Sequence, residues 1–332
     1  MSALWEEMLD EFRALGGVAA NVCLGEGRFG RGLFPCNPSK PVKLHIPEAL
    51  LVEVKYIRFE GDVFRLHNSA PVDPRQRAFL ENYQRDFSWG GGRGETETLL
   101  QLMHDAPQEL QAFLKAPLGA DLWLSGPTPE AVRERYFSTR YITYKGRGVL
   151  MPIVELANHG RLCLYDRENG VGISGLFDGE ILARYCFSDA WDIFSNWGFA
   201  SEEQLFALSL PMTLEAQDGA LIIERGDVST EPGREHFFPD VSNENGRLKL
   251  SYMLLGHRDH PELARAHFQR IMRETGRSDA DAVFGRIQSF NRMAFRKLTE
   301  ISESAPPALG NILRSAARVQ LEALSCDAAS SC

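Results

Sequence analysis

The chain has 332 residues, 44% hydrophobic and 24% charged, the make-up of a globular protein long enough for two domains. Its 45 acidic and 36 basic residues leave a formal net charge of −9, which argues against a nucleic-acid backbone as the main partner and suits a basic peptide. No run approaches the roughly 18 apolar residues of a membrane helix, so no membrane is expected, and residues 1–15 carry four carboxylates, unlike a signal or transit peptide.

Residues 1–15 read as an amphipathic helix with Leu4, Trp5, Met8, Leu9 and Phe12 on one stripe. A strand is expected over Val18–Leu24. The glycine-rich stretch 25–34 follows, and Pro35, Pro38 and Pro41 exclude a helix after it. Strand character covers 42–52 and 54–66. Helical periodicity then covers 73–80, 95–114 and 127–137, with Thr128 as the expected cap and Pro129 in the first turn. Between the first two lies Trp89-Gly-Gly-Gly-Arg-Gly94, expected as a flexible loop. Strand character returns over 141–185, so residues 70–137 read as a helical insert in a β-rich domain. Beyond Phe199 helix is expected, then strands at 220–224 and 248–255, a turn-rich connection at 226–246, and helices at 261–275, 279–302 and 308–324. The tail from Cys326 to Cys332 reads as frayed.

The cysteines, Cys23, Cys36, Cys163, Cys186, Cys326 and Cys332, form no Cys-x-x-Cys pair. No zinc site is expected, and a reducing compartment, the cytoplasm, is. Gly25-Gly27-Gly30 and Gly170-Gly172-Gly175 both match Gly-x-Gly-x-x-Gly, but neither sits between a buried strand and a helix, as a dinucleotide site requires. His-Glu-x-x-His, Walker and Gly-x-Ser-x-Gly patterns are absent, and His257-Arg-Asp-His260 reads as a polar turn.

The densest pattern lies in residues 140–199. The apolar run Val149–Ala157 stops at Asn158-His159-Gly160. The turn Asp178-Gly179-Glu180 leads to Ile181–Tyr185. A third run ends in Trp197-Gly198-Phe199. Taken singly, each has an ordinary reading: a polar turn for Asn158-His159, a packed strand end for Tyr185, a surface arginine for Arg140, a tight hairpin for Gly30-Arg31-Gly32-Leu33, and core for Phe199.

Taken in order, they resemble a SET-domain methyltransferase, whose C-terminal half reads Leu-x-Pro-x-x-Asp-x-x-Asn-His-Ser, Gly-Glu-x-x-x-x-Tyr and Tyr-Gly-Phe. Two positions depart from that pattern, Gly160 for serine and Trp197 for tyrosine. The layout resembles the plant Rubisco large-subunit methyltransferase branch. The resemblance implies an α+β fold: a β-rich core of small sheets with a knot-like crossing in residues 1–200, the helical insert, and a mainly helical substrate-recognition domain in 201–332. It implies S-adenosylmethionine as methyl donor, S-adenosylhomocysteine as product, no metal, and a protein or peptide lysine as acceptor. Tyr185 is the expected catalytic residue. Gly30, Arg31, Gly32, Leu33, Arg140, Asn158, His159 and Phe199 are expected at the donor, and Tyr165 and Trp197 at the amine. Two alternatives stand beside it: methylation of a small-molecule, peptide or histidine nitrogen, and a SET-like binding module without catalysis.

Overall fold

The structure, a computed structural model, describes residues 3–161, 163–216, 219–228 and 235–325. The frayed tail expected at Cys326–Cys332 lies outside these residues. Two compact units divide the chain: Met1–Glu97 with Pro129–Tyr185, and Thr98–Thr128 with Cys186–Cys332.

The first unit opens with α1 (Ala3–Ala14), which buries Trp5, Met8, Leu9 and Phe12. Leu4 stands at the edge of that arc and is 47% exposed. The single strand expected at 18–24 is broken into β1 (Val18–Ala20) and β2 (Val22–Gly27) at Asn21, which has φ 60°. The Asn21 carboxamide donates to the carbonyls of Asn37 and Lys40, both at 2.8 Å, and these bonds offset the cost of a left-handed backbone. β2 pairs with β3 (Gly30–Pro35) across a turn at Arg28-Phe29. β4 (Val42–Pro47), β5 (Val52–Glu53), β6 (Ile57–Glu60) and β7 (Val63–Leu66) complete the N-terminal strands.

Helices follow: α2 (Pro74–Asp86), α3 (Trp89–His104), α4 (Gln108–Lys115) and α5 (Pro129–Ser138). α2 starts as its sequence demands, with Asp73 and Gln76 forming a reciprocal capping box and Pro74 in the first turn. The expected loop at Trp89–Gly94 is instead the start of α3. Glycine costs a helix interior about 1 kcal/mol per residue, and close packing is its reason here. A Cβ on Gly90 would stand 1.9 Å from the Arg85 carbonyl oxygen, on Gly91 2.3 Å from Arg31 Nη1, and on Gly92 3.0 Å from the Tyr136 hydroxyl. The strands β8 (Tyr141–Tyr144), β9 (Arg147–Leu150), β10 (Asn158–His159), β11 (Gly170–Gly175) and β12 (Leu182–Ala183) finish the unit. Its sheets are small, ordered β1-β4-β11, β5-β9-β8, β2-β3, β6-β7 and β10-β12. The glycines of both Gly-x-Gly-x-x-Gly matches lie in antiparallel strands, β2, β3 and β11. Phe59, Trp89, Tyr136 and Phe137 form an aromatic core with neighbouring ring centroids 5.1–5.7 Å apart.

In the second unit, α6 (Ala190–Trp197) is capped by Asp189 and ended by Gly198 in the left-handed region. The helix expected after Phe199 is absent from the described residues up to α7. Strands occupy that stretch: β13 (Phe206–Leu208), β14 (Met212–Ala216), β15 (Gly219–Ile223), β16 (Val241–Glu244), β17 (Arg247–Leu250) and β18 (Leu254–His257). Phe206, Ala207 and Leu208 are all buried, so no alternation marks them as strand, and apolar content alone suits a buried helix equally. β13 pairs with β18, and the other four form the sheet β14-β15-β17-β16. The helices α7 (Leu263–Glu274), α8 (Ala280–Ile301) and α9 (Pro307–Ser325) match expectation within two residues at most termini. Arg225 bridges the Asp189 and Asp192 carboxylates, while Asp189 also accepts from the Leu208 amide, tying α6 to β13.

Among the described residues no helix is long and apolar enough to cross a membrane. The cysteine reading needs revision: Cys23 and Cys36 form a disulfide, with Cα atoms 5.3 Å apart, at the base of the β2–β3 hairpin. No short motif announces it, because the pairing comes from the hairpin register. A loop of this size stabilises by about 2–3 kcal/mol through the unfolded chain. Urea unfolding with and without dithiothreitol should show that difference, and the C23S/C36S variant should be insensitive to the reductant.

Candidate active site

Met151–Ala157 leave β9 as a buried coil rather than a strand. Ile153 adopts φ 70° and ψ −54°, a positive-φ γ-turn conformation that β-branched residues avoid. Its side chain is fully buried, and the turn is locked by hydrogen bonds from the Glu155 amide to the Met151 carbonyl (2.9 Å) and from Leu156 to Ile153 (3.1 Å). Packing here outweighs backbone preference, as strained residues at functional sites require.

The chain then enters β10, which runs parallel to β12 with Asn158 opposite Leu182 and His159 opposite Ala183. The Asn158 carboxamide donates to the Arg31 carbonyl (3.2 Å) and to the Glu180 carboxylate (2.6 Å). The Ile181 amide donates to the Leu33 carbonyl at 2.7 Å. Three segments remote in sequence, 31–33, 158–160 and 180–185, therefore meet at one crossing. Gly160, where the resembling family carries serine, has a local reason. A Cβ there would lie 2.5 Å from the Leu182 Cβ.

Tyr185 ends this arrangement. Its hydroxyl donates to the Ala157 carbonyl (2.9 Å) and its amide to His159 Nδ1 (3.4 Å). The two rings meet edge to face at 5.2 Å. Burial pushes the Tyr185 phenol up to about 12, with the Arg140 charge pulling the other way and Glu180 and Glu155 adding to the rise. The phenol therefore keeps its proton at neutral pH. Tyr165 is half-buried, and its phenol is raised by burial and by the nearby Tyr185.

The Arg140 guanidinium carbon stands over the Tyr136 ring, 3.7 Å from its centroid, and the side chain donates to the Thr139 hydroxyl at 3.1 Å. Burial opposes its charge, but Tyr136, Glu155, Tyr185 and Glu95 outweigh that effect and keep it ionised. Among the described residues no carboxylate makes an ion pair with it. A guanidinium so placed suits an incoming carboxylate, to which it can donate two parallel hydrogen bonds. The other expected donor-site residues have protein partners. Arg31 donates from Nη2 to the Phe87 carbonyl at 2.6 Å. Leu33 is fully buried. Gly30 forms the hairpin turn with φ 82°, and Gly32 faces Glu180 and Asn158. Trp197 and Phe199 belong to the second unit, at the end of α6 and just beyond it.

Sequence reasoning missed the group behind the turn. The Glu155 side chain is buried and accepts from the Tyr83 hydroxyl (3.1 Å) and from Gln84 Nε2 (3.3 Å). Burial raises its carboxyl, against the effects of Ser88, Arg140, Tyr83 and Gln84. These residues come from α2, the residue before α3, the turn after α5 and the 151–157 turn, so no local pattern unites them. A pocket of about 130 Å³ lies apart from Tyr185, lined by residues including Glu48, Glu53, Tyr56, Tyr144 and Arg147. Both its carboxylates are already paired, Glu48 with Lys145 and Arg147, Glu53 with Lys55 and Arg147.

Comparison with protein-family models finds no match. Comparison with curated proteins finds none either. Among solved structures, the chain is similar to the SET domain of LSMT bound to lysine and AdoHcy, with 12% identity and a TM-score of 0.44 over 99% of this chain and 91% of that one. It is similar also to Rubisco LSMT bound to sinefungin and monomethyllysine, with 13% identity and a TM-score of 0.42 over 99% and 92%.

His159 is buried, and burial together with the Arg184 charge pushes its imidazole down to about 4. The unfolded chain, with an ordinary value of 6.5, takes up a proton that the folded chain refuses. Stability therefore falls as pH drops from 6.5 to 4. Urea unfolding across that window should show wild type losing about 3 kcal/mol relative to H159Q.

Proposed function

We propose that this chain is an S-adenosylmethionine-dependent N-methyltransferase acting on a lysine of a protein or peptide. The observation that carries the reading is Tyr185 itself. Its hydroxyl is anchored to the Ala157 carbonyl at the three-segment crossing, within electrostatic reach of an Arg140 guanidinium that has no ion pair among the described residues. The motif order of the sequence points the same way.

When bound, S-adenosylmethionine would supply a methyl group on a positively charged sulfur, open to in-line displacement, and S-adenosylhomocysteine would be left. Arg140 would hold the donor's carboxylate. The Asn158-His159 backbone would hold the adenine, with Gly30–Leu33 along the methionine part. The acceptor amine must be neutral, and a lysine of pKa near 10.4 loses its proton at pH 7 at a cost of about 4–5 kcal/mol. An apolar channel lowers that cost by desolvation. Tyr185 directs its proton at Ala157, and a phenol oxygen so held would accept from the amine N–H and aim the nitrogen's own pair at the methyl carbon. Tyr165, electrostatically coupled to Tyr185, would flank the amine. The parts expected of Trp197 and Phe199, recognition of the protein by residues 201–332, and a cytoplasmic setting are carried by the sequence reading alone. The Cys23–Cys36 disulfide weighs against that setting.

Calorimetric titration tests the reading, with heat expected for S-adenosylmethionine and none for NADH. No binding of the methyl donor would overturn it. With labelled donor and a protein extract, Y185F should lose transfer by about 100-fold or more while keeping donor affinity within about threefold. R140M should weaken donor binding by about 30-fold or more, the cost of removing one partner of a desolvated charge pair.

A further inference from the structure

The glycines of the β2–β3 hairpin leave a notch, and a side chain of the same protein fills it. A Cβ built on Gly32 would stand 2.2 Å from Glu180 Oε1 and 2.8 Å from Asn158 Nδ2. One on Gly27 would stand 2.6 Å from Glu180 Oε2. The Glu180 carboxylate thus lies across both glycines, and its Oε1 accepts the short 2.6 Å bond from Asn158. Among the described residues no lysine or arginine pairs with Glu180, so the Asn158 carboxamide is the partner that fixes the carboxylate. The next residue, Ile181, bonds to Leu33 of the same hairpin.

We propose that Glu180 is a positioning residue of the methyl-transfer site, seated in the Gly27/Gly32 notch so as to fix the Asn158 carboxamide and, through it, the crossing that carries Tyr185. Gly27 and Gly32 are then required by Glu180 and not by direct approach of the donor. The inference rests on the methyl-donor reading. It follows from chemistry on both sides of the notch. A carboxylate accepting from a carboxamide is a charge-assisted bond, stronger than a neutral one. A methyl group on Gly32 would stand 2.2 Å from Oε1, so the carboxylate would have to leave its present position. Without that bond, the Asn158 carboxamide keeps, among the described residues, the Arg31 carbonyl alone to donate to.

The test is a coupling cycle on the full chain: wild type, G32A, E180A and G32A/E180A, with E180Q beside them, each measured for S-adenosylmethionine affinity by calorimetry and for thermal midpoint. G32A should weaken donor binding about tenfold in the wild-type background and by clearly less in the E180A background, since the clash with the carboxylate is gone there while the 2.8 Å approach to Asn158 Nδ2 remains. E180A alone should lose about tenfold, and E180Q, which keeps an acceptor for Asn158, should recover at least about threefold of that. Equal damage by G32A in both backgrounds would overturn the proposal, as would an E180A protein that binds like wild type. If wild type binds no donor, the methyl-transfer reading fails and takes the positioning role with it. The thermal midpoints then decide the seat separately, because a midpoint lowered by G32A is restored by E180A only if the carboxylate occupies the notch.

Discussion

The side-chain nitrogen of Asn158 carries two hydrogens, and each has an oxygen to meet, the Arg31 carbonyl on one side and the Glu180 carboxylate on the other. Few side chains can do this. An aspartate of the same shape would present oxygen to two oxygens, and a shorter serine has one hydrogen to give. The carboxamide thus joins a hairpin near the N-terminus to a turn nearly at the end of the first unit. The parallel pair β10–β12, the Ile181–Leu33 bond and the placement of Tyr185 follow from that junction.

Behind the junction lies a second layer. The Ile153 turn is unfavourable for its residue type and stands because its surroundings are packed around it. Glu155, one turn on, is held by Tyr83 and Gln84 of α2, so a helix of the insert sets the coil that ends at the Ala157 carbonyl. That carbonyl anchors the Tyr185 hydroxyl. α2 is therefore part of how the Tyr185 hydroxyl is anchored.

Elements with a strong period were legible in the sequence. α1, α7, α8 and α9 show apolar stripes at helical spacing and form where that spacing puts them. The misplaced elements have identifiable causes. Glycines at 90–92 signal a loop by propensity, yet the helix keeps them because neighbouring groups come too close for any side chain. β13 is buried on both faces and so lacks alternation. Of the candidate site, Asn158, His159 and Tyr185 could be found because they sit at the ends of apolar runs. Glu180 reads in the sequence only as half of a Gly-Glu turn, and its place across Gly27 and Gly32 depends on the meeting of segments about 150 residues apart. The Cys23–Cys36 pair has no motif either, since it is the register of the β2–β3 hairpin that brings the two together.

Gly160 bears on more than a departure from a family pattern. Two strands in a parallel pair usually keep their distance through side chains that touch. Here the approach of residues 158–160 to Leu182 is limited by the absence of a carbon atom, since the built Cβ would fall 2.5 Å from its neighbour. Any side chain at position 160 would force the strands apart before it met a ligand. The width of the crossing is thus written in one position that carries no chemistry of its own.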